Sequence, residues 1–237
     1  MGLTLQRAKR VHVRTLPPEE QHFKESIHSE QFNDIRIKPY PVKRKIDLVL
    51  GAAGFLVYML LFPFIALGIK LSSRGPVLFK QPRTGRNGAV FQCYKFRTMH
   101  VVQKQSKNGQ PVVTQKGDNR IFGFGQFLRK MNLDELPQII NVMKGDMSLV
   151  GPRPYPVEEC AYWNNTFDDH YYRYILTPGI TGYAQARGLR GGTLDVELMR
   201  RRLDNDLIYI EKNSLKLDLM IIYRTVAQMV TRKTNGH

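Results

Sequence analysis

The hydrophobic positions of this chain fall into four patterns, each predicting a different kind of element. From Leu48 to Ile69 run 22 residues without a charge, LVLGAAGFLVYMLLFPFIALGI. At about 1.5 Å rise per residue they would cross a hydrocarbon core about 30 Å thick. FQCYKFRTM alternates, setting Lys95 and Arg97 on one face of a strand and Tyr94 and Phe96 on the other, as an ordinary edge strand also would. Leu136, Ile139, Ile140 and Met143 recur at i, i+3, i+4 and i+7, which predicts one amphipathic helix that Gly145 can cap. Two further stripes follow: Val196, Met199, Leu203, Leu207 and Ile210, then Leu215, Leu219, Ile222, Val226 and Met229. The second is broad enough to lie on a bilayer surface. Residues 101 to 119 are polar, with turn signals at Asn108-Gly109 and Gly117-Asp118, and read as a loop.

The long apolar run has two features that a simple span lacks. Pro63 lies inside it, removing the hydrogen bond to the Met59 carbonyl and disfavouring helical geometry at Phe62. Basic residues flank both ends: Lys43, Arg44 and Lys45 before it, and Lys70, Arg74, Lys80, Arg83 and Arg86 around and after its end. Positive charge marks the cytoplasmic side of a membrane. A helix that enters the leaflet, bends at Pro63 and returns accounts for both features, and a kinked span accounts for the first. Residues 1 to 40 are polar, with no apolar h-region of a signal peptide, and predict a mobile arm; HFKESIHSEQF within it could form a weak helix.

Composition narrows the partners. A formal net charge of +16 over 237 residues implies an anionic partner: nucleic acid, phospholipid headgroups or a phosphorylated small molecule. The length allows one ordinary domain with a real core, or a smaller domain plus an attachment device. Cys93 and Cys160 are far apart without metal-ligand spacing, which argues against a disulfide scaffold or a zinc site and suits a reducing, cytoplasmic setting.

Against this basic background, NLDELPQIINVMKGDMSLVGPRP places two adjacent acids, Asp134 and Glu135, at a helix start. Acids there complement the helix dipole, and an isolated pair would need no other explanation. Here Arg129 and Lys130 precede the pair, and Arg153 stands between Pro152 and Pro154, which stiffen the backbone that presents it. Arginine suits a bidentate grip on phosphate. Two carboxylates would repel a pyrophosphate unless a divalent cation lay between, and Mg²⁺ typically uses one or two carboxylates plus substrate phosphates. Acid pair, cation and arginines together describe phosphoryl transfer. Neighbouring helical residues point about 100° apart, so one acid can attack phosphorus while the other holds the metal.

From about Lys43 to about Val230 the chain resembles the bacterial sugar transferases, the monotopic polyprenyl-phosphate hexose-1-phosphate transferases. The resemblance rests on KRKID, YKFRTM, LRKMNLDELPQIINVMKGDMSLVGPRP, PGITGYAQARG and DLIYIEKNSLKLDLMII. It implies a helix-rich, mixed α/β monotopic protein with a re-entrant membrane helix broken at Pro63 and amphipathic interface helices around a small catalytic domain. The implied reaction moves a sugar 1-phosphate from a UDP-sugar to undecaprenyl (polyprenyl) phosphate, releasing UMP. This would be the first membrane step of exopolysaccharide, capsule, O-antigen or related glycan assembly. The implied cofactor is Mg²⁺, or Mn²⁺ in its place, and the implied location is the cytoplasmic face of the bacterial inner membrane.

Carried over by position, the resemblance makes Asp134 the nucleophile and Glu135 the metal-binding acid, with Asp134 also beside the metal. Lys95, Arg129 and Arg153 fall on phosphate-binding positions, with Arg97 and Gln185 beside them and Asp118, Arg120 and Arg187 as secondary candidates. Gln185 suits a loop-stabilising amide equally well. Where the family often reads Ser-Pro at the helix break, this chain reads Phe62-Pro63, and ARGLRGGT replaces a frequent Val-Asn-Gly-Arg. The RGGT resembles the branch that starts exopolysaccharides with glucose or galactose phosphate. The expected organisation is an arm over 1–42, a re-entrant helix over 43–74, a catalytic domain over 75–232 and a tail over 233–237, forming a minimal catalytic unit. Two alternatives stay open: direct transfer in a ternary complex with Asp134 as general base, and a non-catalytic basic protein on the membrane. No nucleic-acid motif is present; membrane lipids are expected partners, and a homodimer is compatible with the sequence.

Overall fold

The computed structural model describes residues 42–101, 117–191 and 194–231. The N-terminal arm, the Asn108-Gly109 turn, Gly192-Thr193 and the tail lie outside the described residues. The apolar run forms α1, Lys43–Ser72, a helix of 30 residues assigned without interruption across Pro63. Its apolar character all round is divided between two surfaces. Tyr58, Ile65 and Ile69 are buried against the rest of the protein, whereas Val49, Leu56, Leu60, Phe64, Leu67 and Leu71, on another stripe, are between 60% and 80% exposed.

A body of short elements packs along α1. Strands β1 (Leu78–Thr84) and β2 (Val90–Phe96) pair antiparallel as a hairpin, Leu78 opposite Phe96. Phe96, at the end of β2, packs its ring at a tilt against Tyr58 and Phe62 of α1. Helix α2, Gly123–Lys130, crosses the later part of α1, where a Cβ on Gly68 would come within 2.5 Å of the Phe124 ring. Any larger residue at 68 must therefore displace the Phe124 ring.

The expected amphipathic helix is divided in two. Leu133–Gln138 is a 3₁₀ turn, and α3 follows over Ile139–Lys144. Pro137 supplies the reason, because it has no N–H to reach the carbonyl four residues back. Asp134 and Glu135 thus stand in a 3₁₀ first turn, where neighbours diverge by about 120° rather than 100°. Gly145 ends α3 as expected, at φ 92°, its N–H bonding to Asn141 and Val142 carbonyls.

Two short strands that the sequence pattern does not reveal, β3 (Ser148–Val150) and β4 (Gly179–Thr181), pair in parallel. They join GDMSLVGPRP to PGITGYAQARG. Gly151 and Gly179 meet so closely that a Cβ on either would strike the other's backbone. Helices α4 (Val157–Thr166), α5 (Tyr183–Ala186), α6 (Val196–Lys212) and α7 (Leu215–Val230) complete the body. Asp195 caps α6 and Ser214 caps α7 through their side chains.

The buried face of α6 contains Met199, Leu203 and Ile210, but Val196 of the expected stripe is exposed, and Arg202 and Asp206 are buried instead. On α7 the expected stripe faces outward: Leu219, Val226 and Met229 are exposed, while Asp218 and Ile221 of the same helix are buried. Cys93 and Cys160 are free and buried, so the core is held by packing.

Both ends of α1 are bonded to this one body. At its start, Lys43 reaches Asp218 at 2.5 Å, Arg44 donates to the Val142 and Met143 carbonyls, and Asp47 accepts from Ser148 Oγ and the Leu149 N–H. Just past its end, Ser73 is gripped by Arg97, whose Nη1 bonds its hydroxyl and whose Nη2 bonds its carbonyl.

Candidate active site

Three segments bring charged groups to one place: the end of β2, the 3₁₀ turn and the loop after β3. Glu135 is their meeting point. Its Oε1 accepts from Lys95 Nζ at 2.6 Å and from Arg153 Nη2 at 2.7 Å, and its Oε2 accepts from Arg153 Nη1 at 3.3 Å. The guanidinium therefore grips the carboxylate as a fork. Burial opposes the charge on Glu135, but Arg153 and Lys95 together hold it well below the usual carboxyl range. Glu135 in return raises the pKa of Arg153 further.

Asp134 is the opposite case. It is 8% exposed, and among the described residues no donor bonds its carboxylate. Burial, reinforced by Glu135 and only partly offset by Lys95, pushes it up to about 6. Two adjacent acids are thus set apart by their surroundings, one locked as a carboxylate and one poised near neutrality. The left-handed Asn132, φ 55°, turns the chain from α2 into the 3₁₀ segment that separates them.

Arg129, at the end of α2, donates Nε to Thr98 Oγ1 at 2.8 Å. Burial lowers its pKa, and among nearby charges Asp134 most favours its charged form. Asp118 and Arg120 pair with each other, which holds Asp118 down to about 2. Their nearness to Arg129 puts them at the edge of the group.

Other sequence candidates stand apart. Arg97 is buried, its guanidinium bonded to Ser73 just past α1 and to the Pro76 and Met99 carbonyls, so it fastens the end of the long apolar helix to the body. Lys95 and Arg97, expected on one strand face, serve different ends of the body. Gln185 is buried and donates to the Ile180 carbonyl, in keeping with a loop-stabilising amide. Arg187 is exposed, bonded to Asn205 and laid over the Tyr183 ring at 5.1 Å.

The structure adds groups that sequence reading missed. Arg173 and Asp206 form a buried ion pair at 2.6 Å, and Arg173 Nη2 also holds the Arg153 carbonyl at 2.8 Å. The Tyr155 ring lies 4.2 Å from that guanidinium. Arg153 is thus braced from behind by its backbone. Asp206 carried a faint signal, as a polar break in the α6 stripe; Arg173 carried none. Arg190, discussed below, was visible as the second arginine of ARGLRGGT.

The sequence profile of the bacterial sugar transferases matches residues 38–232. The chain belongs to the bacterial sugar transferase family. It is 46% identical over 189 residues to a UDP-glucose:undecaprenyl-phosphate glucose-1-phosphate transferase of Caulobacter vibrioides, covering 80% of this chain and 70% of that one. It is 42% identical over 187 residues to the enzyme of the same name in Escherichia coli, covering 78% of this chain but 39% of that longer protein. It is 40% identical over 194 residues to exopolysaccharide production protein PSS of Rhizobium leguminosarum bv. phaseoli, covering 81% of this chain and 96% of that one.

For this bacterial sugar transferase the implied cation has a specific fit. No cluster of three or more His, Cys, Asp or Glu side chains exists among the described residues, so the protein alone offers only the acid pair. Mg²⁺ commonly takes one or two carboxylates and completes its shell with substrate phosphates and water. Asp134, buried with no protein donor on its carboxylate among the described residues, leaves its oxygens open to such a cation. Asp134 is the open member of the pair, and Glu135, with Oε1 given to both Lys95 and Arg153, would join it through Oε2 for a cation that arrives with the substrate.

Proposed function

We propose that the chain transfers a sugar 1-phosphate, glucose 1-phosphate first among candidates, from a UDP-sugar to undecaprenyl phosphate, releasing UMP. The observation that carries the mechanism is Asp134: buried, unbonded and adjacent to a Glu135 held ionised by Lys95 and Arg153. Asp134 attacks the phosphorus that bears the sugar, the bond from that phosphorus to the oxygen of UMP breaks, and UMP departs with the electron pair. The lipid phosphate then attacks the same phosphorus and displaces Asp134. A phosphomonoester has its second pKa near 6, so near neutral pH the acceptor has little need of a base. That favours nucleophile over general base for Asp134. Lys95, Arg129 and Arg153 stabilise the phosphoryl oxygens in both steps. Asp134 and Glu135 would hold Mg²⁺, which supplies further neutralisation of the diphosphate when bound. Purified protein with undecaprenyl phosphate, Mg²⁺ and a panel of UDP-sugars is expected to release UMP fastest from UDP-glucose. A protein that releases no UMP from any donor would fail this reading.

The same proposal places α1 as a monotopic anchor, entering and leaving the membrane on the cytoplasmic side. Its support is that one body bonds both ends of α1 while a whole apolar stripe stays uncovered. Each large side chain on that stripe gains about 1.5–3 kcal/mol if fully taken out of water. The outward stripe of α7 would rest on the same surface. The check uses Lys45→Cys and Arg74→Cys, each in a protein whose Cys93 and Cys160 are Ala. In intact cells neither new cysteine is expected to react with an impermeant thiol reagent. Labelling of one from outside would mean a true span.

A further inference from the structure

Arg190 lies in the loop between α5 and α6, and its guanidinium is held by neutral groups only. Nε donates to the Gln185 carbonyl at 3.1 Å and Nη2 to Gln228 Oε1 at 2.8 Å, which leaves Nη1 without a partner among the described residues. Gln228 is itself fixed by donating to the Ala186 carbonyl at 2.9 Å. The loop is clamped from behind, where buried Arg202 of α6 donates to the Arg190 carbonyl at 2.6 Å and the Gly191 carbonyl at 2.7 Å. Burial and the neighbouring Arg153 press Arg190 toward losing its charge, and Glu135 is the acid that opposes them. An ion-pair partner of its own would remove that strain, and none is present among the described residues.

Gly182 lies between the Gly151 carbonyl and the Gln185 side chain, where a Cβ would strike the first and come within 3.1 Å of the second. This sets the 185–190 segment beside the one that carries Arg153. Lys95, Arg129, Arg153 and Arg190 together outnumber Asp134 and Glu135 by two, so the site is built for added negative charge. Two ligands bring it: the donor diphosphate and the acceptor phosphomonoester. The position of Arg190 distinguishes them. Its anchor Gln228 stands on α7 between Ala227 and exposed Met229, near exposed Val226. A lipid whose chain stays in the bilayer brings its phosphate past this helix first.

Resting on the transferase reading above, we infer that Arg190, aimed by Gln185 and Gln228, binds the phosphomonoester head of the lipid acceptor. Its Nη1, with the second hydrogen of Nη2, takes the dianion, which carries about −1.5 to −2 charge near neutral pH, on the side of Arg153 and Glu135. Lys95, Arg129 and Arg153 keep the donor.

The test separates the two ligands. Wild-type protein, Arg190→Gln and Arg190→Lys are titrated in detergent with farnesyl phosphate and, separately, with UDP-glucose in the absence of Mg²⁺, which keeps the covalent step out of the isotherm, by calorimetry. Steady-state transfer is measured in parallel. Arg190→Gln is expected to raise Kd for farnesyl phosphate and KM for undecaprenyl phosphate at least tenfold, with Kd and KM for UDP-glucose changed less than twofold. Arg190→Lys should recover part of the loss, since it restores charge but not the fork. Equal weakening toward both ligands, weakening toward UDP-glucose alone, or no change would overturn the assignment. Wild-type protein that binds no prenyl phosphate would overturn it together with the transferase reading, a distinct result.

Discussion

Replacing Asp134 with Asn is expected to abolish transfer, with a fall of about four or more powers of ten, because an amide neither attacks phosphorus nor carries the charge the site is arranged around. The loss should appear before any lipid is added. Wild-type protein with UDP-glucose and Mg²⁺ alone should form a phosphosugar-enzyme and UMP, so labelled UMP exchanges into UDP-glucose without acceptor, and Asp134→Asn should show no exchange. An active wild type that binds donor yet exchanges nothing would leave only direct transfer.

The environment of Asp134 adds a pH signature. Its pKa is raised to about 6 before donor and cation bind, so the attacking carboxylate of the free protein is lost as pH falls through 6. Single-turnover UMP release at subsaturating donor and Mg²⁺, which reports the free protein, should drop about tenfold per pH unit below that point. That reaction is the one to use, because it omits the acceptor phosphate with its own titration near 6. Stability responds with the opposite sign. A carboxyl whose folded pKa lies above its unfolded value favours folding most when protonated, and that advantage is lost as pH rises through about 6. Asp134→Asn should therefore melt at least as high as wild type above pH 6, which shows that its inactivity is chemical.

Arg153→Ala should give the second largest loss, about two to three powers of ten, from removing charge-assisted bonds worth roughly 1.5–3 kcal/mol each at the transition state. It also leaves buried Glu135 with Lys95 alone, which relaxes the difference between the two acids. Arg153→Lys keeps charge without the fork and should lie between. The pH midpoint of single-turnover UMP release provides an independent reading, since changing the charge balance around the pair should move it. Near-normal turnover in Arg153→Ala would reduce this arginine to a structural brace, despite the support it receives from Arg173.

The acid pair was legible because it is local: two carboxylates beside a helix start, in a strongly basic chain, with a proline-framed arginine 18 residues past Glu135. Lys95 and Arg129 lie in equally distinct motifs. The outward stripe of α7 and the cap at Gly145 were legible for the same reason, since periodicity and glycine conformation act within a few residues. The 3₁₀ start was missed because hydrophobic spacing gave no weight to Pro137, whose missing N–H decides the local geometry. Alternation put Arg97 on the face of Lys95 without saying what waits there, and Ser73 with the Pro76 carbonyl waits there.

The sequence by itself determined that the chain carries a membrane-compatible run, a mixed α/β body and an acid pair set among basic residues. Each of these depends on residue type and short spacing. Tertiary structure alone decided which cations serve the pair and which serve the scaffold. Identical guanidinium groups differ only in the partners that distant segments bring: Arg153 meets Glu135, Arg97 meets the end of α1, Arg173 meets Asp206, and Arg190 meets two glutamines. Charge on an arginine is set by chemistry, but whether it is spent or available is set by contacts between residues far apart in the chain. Composition and periodicity carry no record of those contacts.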